Sequence, residues 1–254
     1  MSSWISRSWK KGIVTSRYPE EPPTEEEMPS TGHPPAVPIG AEAPSLLAQG
    51  APLCPTGAIE PAGIHQGRCV RCARCHAAGL ELSGTGEVSV GAPEELLWLG
   101  GRERPRARAN PPLQEIRRSL HVFLMDVGSC QACNLEVLSL ANPYYDISRL
   151  GISFTNSPRH ADVLVVVGVP TGPLAEALRR TYEALPVPKA VIAVGACALD
   201  GGIFRANPGT TGTVRELVPV DLFIPGCPPP PIAILDGLLA LVGRQRSGRG
   251  EPEG

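Results

Sequence analysis

The chain has 254 residues, a formal net charge of -2 and only 4% aromatic residues. That length suits one large or, better, two modest domains, and a near-neutral, aromatic-poor chain has no broad basic surface for nucleic acid. The longest apolar runs, 163–169 and 232–242, fall well short of the ~20 residues that cross a bilayer, and no apolar signal core opens the sequence, so a cytoplasmic protein is expected.

Residues 1–18 set Trp4, Ile5 and Trp9 at helical spacing beside Arg7, Lys10, Lys11 and Arg17, with no acid. They read either as an amphipathic membrane-surface helix or as a frayed basic tail. Residues 19–49 carry Glu20, Glu21, Glu25, Glu26 and Glu27 among many prolines. Proline cannot donate to a ladder and clashes inside a helix, so this stretch reads as a linker without a core. Residues 50–98 hold four of the eight cysteines among frequent glycines, which suits a small module organised by metal instead of by a large core. Residues 99–118 are arginine- and proline-rich, with Arg102, Arg104, Arg106, Arg108, Arg117 and Arg118. They read as a second linker, able to lie on an acidic partner.

The span 119–243 repeats strand, loop and helix. His121 to Val127, Val163 to Val169, Ala190 to Val194 and Val220 to Ile224 are short β-branched runs; Leu135 to Leu140, Pro173 to Leu185 and Pro230 to Val242 read as helices. Continuous apolar strands are covered on both faces, so this is an α/β, doubly wound parallel sheet. Residues 244–254 read as a disordered tail.

Eight cysteines without an export signal point to metal ligation and away from disulfides. They divide into Cys54, Cys69, Cys72 and Cys75, and Cys130, Cys133, Cys197 and Cys227. Zinc accepts four thiolates and favours paired Cys-x-x-Cys knuckles. The triple Cys-x-x-Cys-x-x-Cys of 69–75 with a remote Cys54-Pro55 instead suits a 4Fe-4S cluster. The second quartet follows three different strands, so its loops meet at the carboxyl edge of the sheet, where α/β folds place their sites. No phosphate-binding or dinucleotide glycine loop, nucleophile elbow or paired-histidine zinc motif is present. The five histidines lack ligand spacing, and His76 beside Cys75 reads as a loop residue.

Four segments carry a resemblance: 128–136 (GSCQACNLE), 156–164 (NSPRHADVL), 195–204 (GACALDGGIF) and 224–231 (IPGCPPPP). Together they resemble the electron-transfer small subunit shared by membrane-bound energy-conserving nickel–iron hydrogenases, formate hydrogenlyase and complex I, where it is the 20 kDa-type subunit. The resemblance spans roughly 119–243 and implies a flavodoxin-like fold with Cys130, Cys133, Cys197 and Cys227 on the 4Fe-4S cluster nearest a partner's active site. Complex I subunits have adjacent cysteines in the first motif; here Gln131 and Ala132 intervene, as in the hydrogenase branch.

The N-terminal part resembles the two-cluster, ferredoxin-like (23 kDa-type) subunit of the same complexes, in 12–20 (GIVTSRYPE), 54–59 (CPTGAI) and 69–75 (CVRCARC). Ferredoxin motifs cross-connect, so Cys54 joins Cys69, Cys72 and Cys75. No second set exists, and Gly79 stands where another Cys-Pro would begin, which implies a half-ferredoxin-like, one-cluster remnant.

These resemblances imply an oxidoreductase subunit with two 4Fe-4S clusters and no catalytic centre of its own. It would lie peripherally on the cytoplasmic side of the membrane with a nickel–iron large subunit or its complex I-like counterpart, further iron–sulfur subunits and membrane-arm subunits, and without nucleic acid. A complex I-like quinone- or sulfur-reducing complex is the alternative, and a zinc-stabilised assembly protein a further one. Glu136, three residues after Cys133, reads as a proton-transfer residue or a solvated helix residue. Arg159 reads as a contact to cluster or partner, or as an ion pair with Asp162.

Overall fold

The computed structural model describes residues 12, 14–24, 36–38, 43–80, 82–84, 89–98, 110–205 and 207–244. In the N-terminal module, β1 (Ala36–Pro38), α1 (Ala43–Gly50), β2 (Ile59–Glu60), β3 (Gly63–His65), β4 (Leu82–Gly84) and β5 (Leu97–Trp98) follow in chain order. β1 pairs with β4, and β2, β3 and β5 form a second sheet, all antiparallel. The pieces are short because proline and glycine interrupt every run. Leu47, Ala58, Ile59, Ile64 and Leu80 make a small apolar core, against which Cys54, Cys69 and Cys75 pack.

Two expected linkers contribute to packing. The stretch 19–49, expected to lack a core, supplies α1 and the fully buried Leu47. In 99–118, helix α2 (Pro111–Gln114) buries Leu113 in the main core. Proline occupies the first positions of α2, where its missing donor does no harm, so a proline-rich stretch can still enter a helix. Residues 1–11, including Trp4, Ile5 and Trp9, and Arg102, Arg104, Arg106 and Arg108 lie outside the described residues.

The main domain runs β6 (Leu120–Asp126), α3 (Ala132–Ser139), β7 (Ile152–Phe154), β8 (Val163–Val167), α4 (Gly172–Ala184), β9 (Ala190–Val194), α5 (Ala196–Asp200), α6 (Val214–Leu217), β10 (Leu222–Ile224) and α7 (Pro231–Leu241). Its sheet is wholly parallel in the order β10-β9-β8-β6-β7. With β6 counted as the first strand this is the flavodoxin-like order, so the expected fold class is correct. The edge strand β7 is absent from the expected elements, because three residues, Ile-Ser-Phe, are too few to show a period.

Alternate strand residues serve two cores. Val163, Val165 and Val167 join Ile192 and Val194 on the α3/α7 side, whereas Leu164, Val166, Val191 and Ala193 face α4, α5 and α6. Both sets are apolar, so the runs show no alternation. Every residue of α7 is buried, as a helix apolar on every side but for Asp236 must be.

The module is fastened to the second core. Val90 and Leu96 are buried among its residues, and Val90 exchanges backbone hydrogen bonds with Phe223 of β10, 3.1 and 2.9 Å long. That bridge covers an otherwise open sheet edge. Arg68 completes the join with a 3.0 Å ion pair to Asp200 at the end of α5. Arg244, expected in the tail, donates to the carbonyls of Arg117 and Leu150 and so belongs to the domain. No helix among the described residues is long and apolar enough to cross a membrane.

Candidate metal centres

The second quartet is assembled from the loops after β6, β9 and β10. Asp126, the last residue of β6, organises the first of these. Its carboxylate accepts from the Gly128 and Ser129 amides at 2.9 and 2.8 Å, the Ser129 hydroxyl at 2.7 Å and the Asn134 amide at 2.7 Å. Burial raises the carboxyl, but these donors outweigh it and hold Asp126 below the ordinary carboxylate range. The loop they fix carries Cys130 and places Cys133 in the first turn of α3.

Cys197 lies in the first turn of α5, and Cys227 follows the end of β10. The two loops are tied together by Gly195 N–H to Ile224 O, 2.9 Å, and Ala196 N–H to Gly226 O, 2.8 Å. Gly195 has φ +86°, and a Cβ there would lie 2.5 Å from Cys133 Sγ. A side chain at 195 would therefore displace that thiol.

The four thiols share one electrostatic environment. Burial pushes Cys133 up to about 12, with Cys197, Cys227, Cys130 and Glu136 adding to the rise. Cys197 is likewise pushed to about 12 by burial, then by Cys227 and Cys130. Cys133, Cys197 and Cys227 are desolvated and raised by the charges of the other cysteines, which opposes their joint ionisation. A polynuclear cationic core would supply the compensating charge, so the donor set fits an iron–sulfur cluster. Among the described residues no group of three or more Cys, His, Asp or Glu side chains converges to hold a single metal ion.

Cys54, Cys69, Cys72 and Cys75 line one small cavity with Ala58, Ile59, Ile64 and Val70. Arg71 and Ala73 take left-handed conformations, φ +56° and +59°, which wind the Cys-x-x-Cys-x-x-Cys segment around it. Cys54 Sγ accepts the Ala58 amide at 3.2 Å and lies 3.7 Å from the Thr56 hydroxyl. Burial raises this thiol, but the surrounding donors bring it below its ordinary value. Cys69 and Cys75 are both raised, first by burial and then, among other causes, by the remaining thiols of the set.

The quartets are neighbours. Cys227 is raised by burial, then by Cys130 and by Cys69 of the other set, while Arg71 lowers it. Burial lowers the Arg71 guanidinium to about 10, opposed by Cys69 and Cys227. Arg71 does not stand out in the sequence, because an arginine inside a cysteine motif carries no periodicity or spacing of its own. Glu136 acts electrostatically on Cys133, so the helical spacing places it beside the quartet. Arg159 is exposed, and Asp162 instead accepts from the His121 amide at 2.8 Å and faces its ring nitrogen at 3.2 Å. The expected Arg159–Asp162 pair is therefore replaced by one with His121, which β6 brings directly alongside. His76 is exposed on the turn after Cys75.

The family model for the NADH ubiquinone oxidoreductase 20 kDa subunit matches residues 130–241. Over 138 residues the chain is 42% identical to a probable membrane-bound hydrogenase subunit, mbhJ, of Pyrococcus furiosus, an alignment covering 54% of this chain and 83% of that protein. It is 40% identical over 131 residues to formate hydrogenlyase subunit 7 of Escherichia coli, covering 52% of this chain and 51% of the relative. It is 43% identical over 109 residues to an NADH-quinone oxidoreductase subunit of Desulfovibrio desulfuricans, covering 43% of this chain and 59% of the relative. The matched span takes in the three loops that carry the second quartet, and the chain belongs to the NADH ubiquinone oxidoreductase 20 kDa subunit family of oxidoreductase subunits.

Proposed function

We propose that the chain is the iron–sulfur electron-transfer subunit of a membrane-associated nickel–iron hydrogenase complex. Cys130, Cys133, Cys197 and Cys227 would hold one 4Fe-4S cluster, and Cys54, Cys69, Cys72 and Cys75 another. Such a cluster supplies reversible one-electron storage. The chain's own residues hold it: Asp126 fixes the Cys130–Cys133 loop, Gly195 leaves room for the Cys133 thiol, and the Ala58 amide donates to Cys54 Sγ. With every cysteine used, none remains for nickel or substrate, so the catalytic centre belongs to a partner.

The observation that carries this reading is that Cys130, Cys133, Cys197 and Cys227 sit on the loops and first helical turns that follow three strands of one parallel sheet. An apolar surface flanks them: Leu135 and Leu138 on α3 are 65% and 53% exposed, and Ile203, shortly after Cys197, is 64% exposed. Large apolar residues beside a redox rim suit the docking of a partner subunit. Glu136, on the same helix and acting electrostatically on Cys133, would hold a proton near that interface. The two residues between Cys130 and Cys133 and the similarity to the Pyrococcus furiosus hydrogenase subunit favour hydrogen chemistry in the partner.

The test is anaerobic purification of the intact complex, with nickel, iron and sulfide analysis and a hydrogen-dependent viologen assay. Nickel, both clusters and turnover support the reading. A complex without nickel or hydrogen turnover that reduces quinone or polysulfide overturns the hydrogenase assignment and leaves the electron relay. Zinc alone, with no visible absorption, overturns both.

A further inference from the structure

At the amino edge of the parallel sheet, away from the cysteine loops, Arg117, Arg118, Arg149 and Arg244 line one cleft of about 480 Å³. Arg117 and Arg118 precede β6, Arg149 lies in the turn before β7, and Arg244 follows the end of α7. β6 has seven residues, so about 20 Å of strand separates this cleft from the Cys130 loop. The backbone around it is fixed. The Leu120 amide donates to the Gly151 carbonyl at 2.8 Å, and a Cβ on Gly151 would run into the Arg118 carbonyl oxygen, so glycine lets the two segments close on each other. Arg244 Nη1 donates to the carbonyls of Arg117 at 3.0 Å and Leu150 at 2.6 Å, and Arg149 donates to that of Tyr18.

Those carbonyls orient two guanidinium groups without neutralising them. Arg117 and Arg118 are exposed, and among the described residues neither donates a side-chain hydrogen bond. No acid lines the cleft, and among the described residues none of the four arginines is paired with a carboxylate. Glu115 and Asp162 line an adjoining cleft that shares Arg117 and Arg118, and there Asp162 already accepts the His121 amide. Four like charges around one concavity give it a positive potential that favours an entering anion.

We propose that this cleft binds a phosphate-bearing ligand, whose oxyanions the four guanidinium groups share. Arginine presents paired N–H donors that match phosphate oxygens two at a time. The volume lies among those of small-molecule sites, roughly 300–1,000 Å³, which suits a ligand with several phosphates or one phosphate on a larger headgroup. An acidic peptide fits less well, because an extended chain spreads its single charges at about 3.3 Å per residue and does not gather them in one cleft. The same oxyanion chemistry belongs to a soluble polyphosphate and to an anionic lipid headgroup. The proposal stands apart from the reading of the cysteine quartets.

The test uses the full chain in titration calorimetry with inorganic pyrophosphate, and in co-sedimentation with vesicles of phosphatidylcholine alone or with phosphatidylglycerol added. Arg117→Gln/Arg118→Gln removes two charges and no side-chain bond of the fold, and Arg149→Gln removes one from another segment. Arg179→Gln/Arg180→Gln takes two charges from α4 as the control. Thermal transitions are compared first, and the Arg117/Arg118 variant keeps the test decisive if Arg149→Gln unfolds. Saturable pyrophosphate binding that weakens about tenfold or more in the folded cleft variants, and holds in the control, supports a soluble ligand. Retention on phosphatidylglycerol vesicles alone, lost in the cleft variants and kept in the control, supports a lipid headgroup. Binding to neither probe, or equal weakening in the control, overturns the proposal. Binding of hexaglutamate but of neither phosphate probe also overturns it, and makes the cleft a contact for an acidic protein segment.

Discussion

The Tyr18 hydroxyl donates a 2.6 Å hydrogen bond to Asp236 Oδ1, joining the N-terminal segment to the middle of α7 across 218 residues of chain. Tyr18 is 1% and Asp236 5% exposed. Around it, the Ser16 amide donates to the Tyr144 carbonyl at 2.7 Å, and Arg149 donates to the Tyr18 carbonyl. The segment is thus part of the α/β domain. Tyr18→Phe keeps the ring and removes the donor, so it should cost about 1–3 kcal/mol, the range for depriving a buried polar group of a partner. The urea midpoint of the domain should fall while iron content holds. An unchanged midpoint would show that the contact contributes nothing.

This contact also marks the limit of what the sequence reveals. The sheet is legible because strands covered on both faces are continuously apolar, and so is the position of Cys130, Cys133, Cys197 and Cys227 in the loops and turns that follow its strands. Tyr18 lies within the 12–20 segment that carries the ferredoxin-like resemblance, but nothing in that segment shows that its hydroxyl reaches α7, which only the tertiary fold reveals. Asp236 is visible as the one charge inside an apolar run, yet its partner is not. Leu47 and Leu113 escape a reading by pattern because the surrounding prolines outweigh single leucines. The short strand β7 follows from pairing with β6, which no property of Ile-Ser-Phe encodes.

Cys72 lines the cavity of the first quartet and lies outside both cores of the α/β domain, so its replacement should cost the first site alone. Cys72→Ser should lower iron and sulfide from about eight of each per chain to about four, since each cluster contains four. The thermal transition of the α/β domain should remain, because Cys72 is exposed and outside its cores. If the domain unfolds with the first site, the division into module and domain is wrong.

Gly195→Ala tests the second site by sterics alone. The backbone there, at φ +86° and ψ 156°, is a region almost confined to glycine and costs a residue with a Cβ about 1–3 kcal/mol, and the new methyl would lie 2.5 Å from Cys133 Sγ. The expected result is loss of the second cluster with the first retained, seen as selective disappearance of one of two electron paramagnetic resonance signals. A variant that keeps both signals would show that the Cys133 thiol lies elsewhere in the loaded protein.

Asp126 contributes charge as well as geometry. Its donors favour the ionised form, so its folded-state pKa lies below the ordinary 3.8. For a carboxyl shifted down, the stabilisation is complete above the unfolded value and is lost as pH falls through the folded one. Asp126→Asn retains one acceptor oxygen but neither the charge nor the second acceptor that Asn134 and the Ser129 hydroxyl share. Its urea midpoint should therefore be lower than wild type by a constant amount from neutral pH down to about 4, with the gap closing at lower pH. Asp126→Ala should go further and release the Cys130–Cys133 loop, lowering iron occupancy at the second site. Measuring both midpoint and iron across this range separates the two contributions. A gap already closing near neutral pH would mean that another group supplies the pH dependence, whereas equal iron in Asp126→Ala and wild type would show that the loop holds its thiols without the carboxylate.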